Sequence, residues 1–196
     1  MKVRPATLEE AAVAARLHAA TITEGFLPRL GTDFLTRLYR RITRDDHSLL
    51  LVADDAGAVV GMVAGTEDVG ALYRRFAVRD GVVAGIVAAP RLVRNAGSVL
   101  ETWRYGAKTE HALPSAELLA IAVDDAARGR GAGRALVDAL NEEFERRSVD
   151  GVKVVVGAGN EAALALYHGC GYHDAATIEV HHDVPSKVLV WSPSPR

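Results

Sequence analysis

Apolar positions near the start of the chain recur at helical intervals. Ala11, Val13, Ala14, Leu17 and His18 form one stripe ending near Thr21, and Phe34, Leu35, Leu38, Tyr39 and Ile42 form a second. Thr7-Leu8-Glu9-Glu10 sets a hydroxyl and a carboxylate ahead of the first stripe as a capping box, and Thr32 reads as the cap of the second helix. The period then changes. Leu49–Ala53 and Val59–Gly65 are dense apolar runs separated by the turn residues Asp54-Asp55-Ala56-Gly57, which predicts a hairpin. Leu118–Val123 is a near-continuous apolar run, as expected of a central strand. Gly131–Arg147 returns to helical spacing, with Leu136, Val137, Leu140 and Phe144 inward. Val152–Val156 reads as another buried strand and Asn160–His168 as a short helix. Tyr172–His181 and Lys187–Trp191 read as a closing hairpin around Val184-Pro185-Ser186.

Between the first hairpin and the central strand, apolar and arginine-rich patches alternate, broken by Gly81, Gly85, Pro90 and Gly97. This stretch, 69–111, is expected to be a helical insertion of two or three short helices. Its apolar positions, Leu72, Phe76, Val82, Ile86 and Leu92 among them, need a surface to cover. A flap over the active side and a homodimer contact both answer that need. The order α-α-β-β-(insertion)-β-α-β-α-β-β describes one α/β domain over 1–196.

Composition narrows the function. The chain has 196 residues, 49% of them hydrophobic and 24% charged, with a formal net charge of -2. That is an ordinary globular balance without a broad cationic surface, so nucleic acid is not an expected partner. The lone cysteine, Cys170, has no partner for an internal disulfide. The start of the chain carries no apolar leader, and Val82–Pro90, the longest apolar stretch, is well short of the roughly 20 residues that span a bilayer. A cytoplasmic protein with no membrane partner is expected.

The most informative stretch is Val123-Asp124-Asp125-Ala126-Ala127-Arg128-Gly129-Arg130-Gly131-Ala132-Gly133-Arg134, which joins a buried strand to an amphipathic helix. Glycines permit a tight turn, and the free amides and dipole of a helix start attract an anion such as a phosphate. Arg128, Arg130 and Arg134 add positive charge. An ATP-type P-loop requires a Gly-Lys pair, which the chain lacks. The glycine spacing, 129, 131 and 133, is not that of a dinucleotide fingerprint either.

Arg128-Gly129-Arg130-Gly131-Ala132-Gly133 resembles the Arg/Gln-x-x-Gly-x-Gly/Ala signature of the GNAT superfamily of N-acetyltransferases. Asn160-Glu161-Ala162-Ala163-Leu164-Ala165-Leu166-Tyr167-His168-Gly169-Cys170-Gly171-Tyr172 is similar to that family's Asn-x-x-Ala-x-x-Leu/Phe-Tyr-x-x-x-Gly-Phe/Tyr segment. The resemblance runs from about Glu117 to Tyr172. It implies a central mixed, mostly antiparallel sheet flanked by helices, with acetyl-CoA as cosubstrate and no metal. It implies that the amides of Gly129, Arg130, Gly131, Ala132, Gly133 and Arg134, with Arg128 beside them, hold the pyrophosphate of coenzyme A. It further implies that Ile121 and Val123 offer main-chain groups to the pantetheine arm, and that Asn160 contacts the cosubstrate.

By the same resemblance Tyr167 is the general acid and Glu117 the general base. Tyr167 also reads simply as an aromatic on the inner face of a short helix, Asn160 as an N-cap, and Glu117 as a solvated strand end. Strand alternation puts Glu117, Leu119, Ile121 and Val123 on one face. Glu67, Asp68 and His111, which flank the insertion, are competing bases, and ordered water is a further one. His181-His182-Asp183 does not read as a metal site, since neighbours on a strand diverge. Cys170, between two glycines, reads as a turn residue. The expected reaction is acetyl transfer to the primary amine of a small molecule in a ternary complex. Transfer to a protein N-terminus or lysine, and acyl-CoA sensing without turnover, are the alternatives.

Overall fold

The computed structural model describes residues 1–22, 30–79, 113–181 and 184–193. In chain order they form β1 (Lys2–Pro5), α1 (Ala11–Thr21), α2 (Thr32–Arg44), β2 (Ser48–Asp55), β3 (Ala58–Thr66), α3 (69–79) and β4 (Ala116–Val123). A 3₁₀ turn (Asp125–Ala127), α4 (Ala132–Arg146), β5 (Val152–Gly157), α5 (Glu161–Gly169), β6 (His173–His181) and β7 (Val184–Trp191) follow. The strands join in one sheet of order β1-β2-β3-β4-β5-β7-β6. Its neighbours are antiparallel except β4 and β5, which run parallel. This is the mixed, mostly antiparallel α/β sheet that the sequence resemblance implies.

Helices cover both faces, which is why β2 and β3 are apolar without alternation. On one face α1, α2 and α3 bring Ala14, Leu35, Ile42 and Phe76 against Leu50, Val52, Met62, Ala64 and Ala122. On the other, α4 and α5 bring Leu136, Leu140, Phe144 and Tyr167 against Leu51, Val63, Leu118 and Val154. α4 lies close enough that a Cβ at Gly65 would stand 2.9 Å from the Phe144 ring. Glycine at that strand position is a packing requirement.

Local signals hold with small shifts. The capping box forms: the Thr7 amide donates to Glu10 Oε2 at 2.8 Å and the Glu10 amide to Thr7 Oγ1 at 3.4 Å. Thr32 is the first residue of α2 rather than its cap, a place taken by Gly31 at φ +90°. Pro185 and Ser186 belong to β7, paired with Glu179 and Ile178, so the hairpin turn precedes them. β1 has no hydrophobic signature. It exists because it pairs with β2 at the sheet edge, where the missing N–H of Pro5 does no harm, and because Arg4 binds Asp54 at 2.8 Å and Glu10 at 2.7 Å. Of the expected insertion, α3 is described; residues 80–112, with His111, lie outside the described residues. No helix among the described residues is long and apolar enough to cross a membrane.

Candidate active site

β4 departs from simple alternation. Its register with β3 runs from Gly61↔Val123 through Ala64↔Ala120 and then jumps to Gly65↔Leu118 and Thr66↔Glu117. Leu119 is therefore the extra residue of a β-bulge, and the faces exchange there. Ile121 and Val123 pack on the α4–α5 side, whereas Leu119 packs with the α1–α3 cluster. Glu117, opposite Thr66 and two positions from Leu119, shares that second face. The expectation that Glu117, Leu119, Ile121 and Val123 line one face is corrected: the bulge divides them.

The parallel pairing of β4 with β5 is short. It covers Ala116↔Val152, Glu117↔Lys153 and Leu118↔Val154 and then stops, although β4 continues to Val123 and β5 to Gly157. Beyond Leu118 the strands part. The β4 main chain from Leu119 to Val123 therefore has no strand neighbour on this side, and an extended ligand bearing amides can complete the ladder.

The glycine-rich turn follows the open end of β4. Asp124 turns the chain: its amide donates to the Val60 carbonyl at 2.9 Å and its side chain accepts from the Ala126 amide at 2.9 Å. Gly129 and Gly131 adopt φ +72° and +82°, a region that strains other residues, and a Cβ on either would meet open space. The amides from Gly129 to Arg134 have no hydrogen-bond partner among the described residues; the first to be used is that of Ala135, bonded to the Gly131 carbonyl. They begin α4, whose dipole adds positive potential. The arginines are less available than their sequence suggests. Arg128 pairs with Asp125 at 2.9 Å, Arg130 with Asp55 at 2.9 Å and Arg134 with Asp138 at 3.5 Å. The exposed guanidiniums are locally balanced, so the backbone supplies the free donors.

α5 carries Tyr167. Asn160 caps this helix through its side-chain oxygen, which accepts the Ala163 amide at 3.1 Å. Ala132 and Gly133 open α4 beside α5, with Leu166 within van der Waals range of the Gly133 position. Tyr167 is buried at 4% exposure, with its ring centroid 5.6 Å from that of Tyr172. Tyr172 is held in turn by donating to Asn141 Oδ1 at 2.9 Å. Burial, and then the neighbouring Cys170, push the Tyr167 phenol above its ordinary range, so it keeps its proton at neutral pH. Its hydroxyl has no hydrogen-bond partner among the described residues. Cys170 is buried at the end of α5, and burial followed by Asp138 raises its thiol to about 11, which leaves it un-ionised.

Glu117 lies where the β4–β5 pairing ends. Its Oε2 is 3.6 Å from Lys153 Nζ, and both side chains are about four-fifths buried. Burial raises the carboxyl above the usual range, with Lys153 opposing. From α3, Tyr73 stands close enough that the Glu117 charge adds to the effect of burial in raising its phenol. Next to Tyr73 is Tyr39, which shares a 2.6 Å hydrogen bond with His18 Nδ1. Burial holds His18 near a pKa of about 4, neutral at physiological pH. Sequence reading missed Lys153 and Tyr73 as neighbours of Glu117, and Tyr39 with His18 beside Tyr73. The available signal was Lys153, a charge inside the apolar run Val152–Val156.

The rival bases have other partners. Glu67 binds His47 at 2.8 Å and Arg147 at 3.1 Å; burial raises its carboxyl, but those bonds outweigh burial and hold it below the usual range. Asp68 accepts the Ala71 amide at 2.8 Å at the start of α3.

A model of the Acetyltransferase (GNAT) family matches residues 19–172. The chain belongs to that family. Among solved GNAT-like structures, a ribosomal-protein-alanine N-acetyltransferase from Brucella melitensis superposes with a TM-score of 0.64 at 20% identity, covering 98% of this chain and 100% of its own. An acetyltransferase from Salmonella typhimurium, solved with its cofactor acetyl-CoA, superposes at 0.66 with 16% identity, covering 100% of this chain and 95% of its own. In sequence, the [ribosomal protein bS18]-alanine N-acetyltransferase of Escherichia coli (strain K12) is 42% identical over 67 residues. That stretch is 34% of this chain and 45% of the relative, so less than half of the relative is matched. A mycothiol acetyltransferase from Beutenbergia cavernae is 36% identical over 69 residues, 35% of this chain and 23% of its own. Acetyl-CoA is the cosubstrate of the GNAT family.

Proposed function

We propose that this protein transfers an acetyl group from acetyl-CoA to a primary amine. The observation that carries this reading is the opening between β4 and β5 beyond Leu118↔Val154, with a row of partnerless amides from Gly129 to Arg134 beyond its β4 edge. An extended arm with amides and a pyrophosphate at its far end fits both parts. Bound there, acetyl-CoA supplies an activated thioester. The amides of Gly129–Arg134 hold the pyrophosphate, and the main chain of Ile121 and Val123 pairs with the arm.

Glu117 and Tyr167 lie on opposite faces of the sheet, and in this reading the reactants meet at the gap between β4 and β5. Glu117 accepts the proton that the amine must lose, directly or through water. Tyr167, which keeps its proton at neutral pH, donates it to the departing sulfur. Asn160 serves as the cap of α5, and its amide nitrogen is left for the cosubstrate.

The acceptor in this reading is a small-molecule amine, the class to which the mycothiol relative's name points. A second reading, an alanine α-amine at a protein N-terminus, is favoured by the names of the bS18-alanine relatives. Thiol release from acetyl-CoA, measured across a panel of amino sugars, polyamines, amino acids and alanine-initiated peptides, tests both. A peptide product gaining one acetyl group at its N-terminus selects the second. Acetyl-CoA binding without release on any acceptor would replace the enzyme with a sensor.

A further inference from the structure

We propose that Lys153 is a positioning residue for Glu117, fixing its carboxylate at the mouth of the β4–β5 opening and keeping it ionised for proton transfer. This rests on Glu117 being the base. Glu117 and Lys153 are direct partners on parallel strands, one position before the last pair, Leu118↔Val154. Direct partners project to the same face, so the two side chains meet where the sheet begins to open. The ammonium is itself held. Besides lying 3.6 Å from Glu117 Oε2, it donates to the carbonyls of Pro114 and Ser115, the residues that lead into β4. Lys153 therefore ties together the entry to β4, the Glu117 carboxylate and β5.

The environment gives that contact weight. At 18% and 21% exposure the pair is shielded from solvent and salt far better than a surface ion pair. Among the described residues, the groups beside Glu117 other than Lys153, the phenol of Tyr73 from α3 and the register partner Thr66 from β3, carry no charge at neutral pH; next to Tyr73 stands Tyr39, bonded to His18. Among the described residues, Lys153 is the one charge acting on Glu117, and it opposes the burial that favours the protonated acid. A neutral Glu117 would be a poor proton acceptor and free to turn its proton toward a carbonyl.

The direct test needs no acceptor. Protein labelled with ¹³C at the glutamate side-chain carboxyl is titrated by NMR, the Glu117 signal being identified by its loss in Glu117→Gln. Lys153→Met should raise the Glu117 midpoint by about 1 unit or more, the size of effect expected from losing an opposite charge at this distance. Lys153→Gln, which still donates to the Pro114 carbonyl, should do the same if the Met variant does not fold. Lys153→Arg should restore the midpoint to within about half a unit, since it restores the charge. Unmoved midpoints in folded Met and Gln variants overturn the proposal. The base reading has its own arm: the acid limb of kcat/KM, measured with the best acceptor of the amine panel, should disappear in Glu117→Gln and move to higher pH in Lys153→Met. An acid limb that persists unchanged in Glu117→Gln removes Glu117 as the base, whatever the NMR midpoints do.

Discussion

Glu117 and Ile121 are four residues apart on β4, yet they belong to opposite faces of the sheet, because Leu119 is an extra residue in the ladder to β3. An even spacing on a regular strand would have put them side by side. With the bulge, the strand can offer its main chain to a cosubstrate beside Ile121 while presenting a carboxylate to the α1–α3 side at Glu117. In the proposed reaction one strand would thereby serve both reactants.

Glu117→Gln should lower kcat/KM by about 10²- to 10⁴-fold, the usual loss for a general base, and leave acetyl-CoA affinity within about twofold. The pH profile carries the sign. In the proposed reaction the active form is the carboxylate, and burial raises its pKa, so wild-type activity should fall off on the acid side above the ordinary carboxylate range. Steady-state kinetics from pH 5 to 9 checks this. An acid limb in the normal glutamate range would contradict the burial effect.

Tyr167→Phe should reduce kcat by roughly 10- to 10⁴-fold with little change in acetyl-CoA binding, since the ring and its contact with Tyr172 remain. The phenol is raised above its free value of about 10, so Tyr167 should produce no alkaline limb below pH 10. A variant turning over at the wild-type rate would reduce Tyr167 to a packing residue.

Coenzyme A or acetyl-CoA at about a hundredfold excess over Kd should stabilise the native state by about 2.7 kcal/mol and raise Tm by roughly 5–10 °C. Gly131→Asp should abolish that increment, because it sets a negative charge among the free amides of Gly129–Arg134. It should also lower the ligand-free Tm modestly, given φ +82° at this position. Thermal unfolding with and without ligand reads both effects. A full ligand increment in the variant would place the pyrophosphate elsewhere.

Gly65→Ala should cost about 1–3 kcal/mol in urea unfolding, the usual range for overpacking a core. The added Cβ would lie 2.9 Å from the Phe144 ring and 3.1 Å from Leu140 Cδ1, so α4 must move away from β3. The double variant Gly65→Ala with Phe144→Leu should recover part of the loss. Additive costs would show that the strain lies in the strand instead.

The sequence by itself determined whatever is settled within a few neighbouring residues. The Thr7–Glu10 capping box, the helical stripes of α1, α2 and α4, the hairpin through Asp54–Gly57, the Asn160 cap and the glycine-rich start of α4 all follow from local hydrogen bonding and hydrophobic period. The two motifs that mark the family are local in the same sense. Only the tertiary structure decided how these pieces meet. β1 is a strand because β2 offers it an edge, not because its own pattern demands one. The bulge at Leu119, the ending of the β4–β5 ladder at Leu118↔Val154 and the approach of Lys153 to Glu117 are properties of pairs of strands. A strand's period of two tells which residues share a face only while the register is unbroken, and one extra residue reverses the answer for everything beyond it. That reversal depends on the partner strand, and β4 alone carries no mark of it.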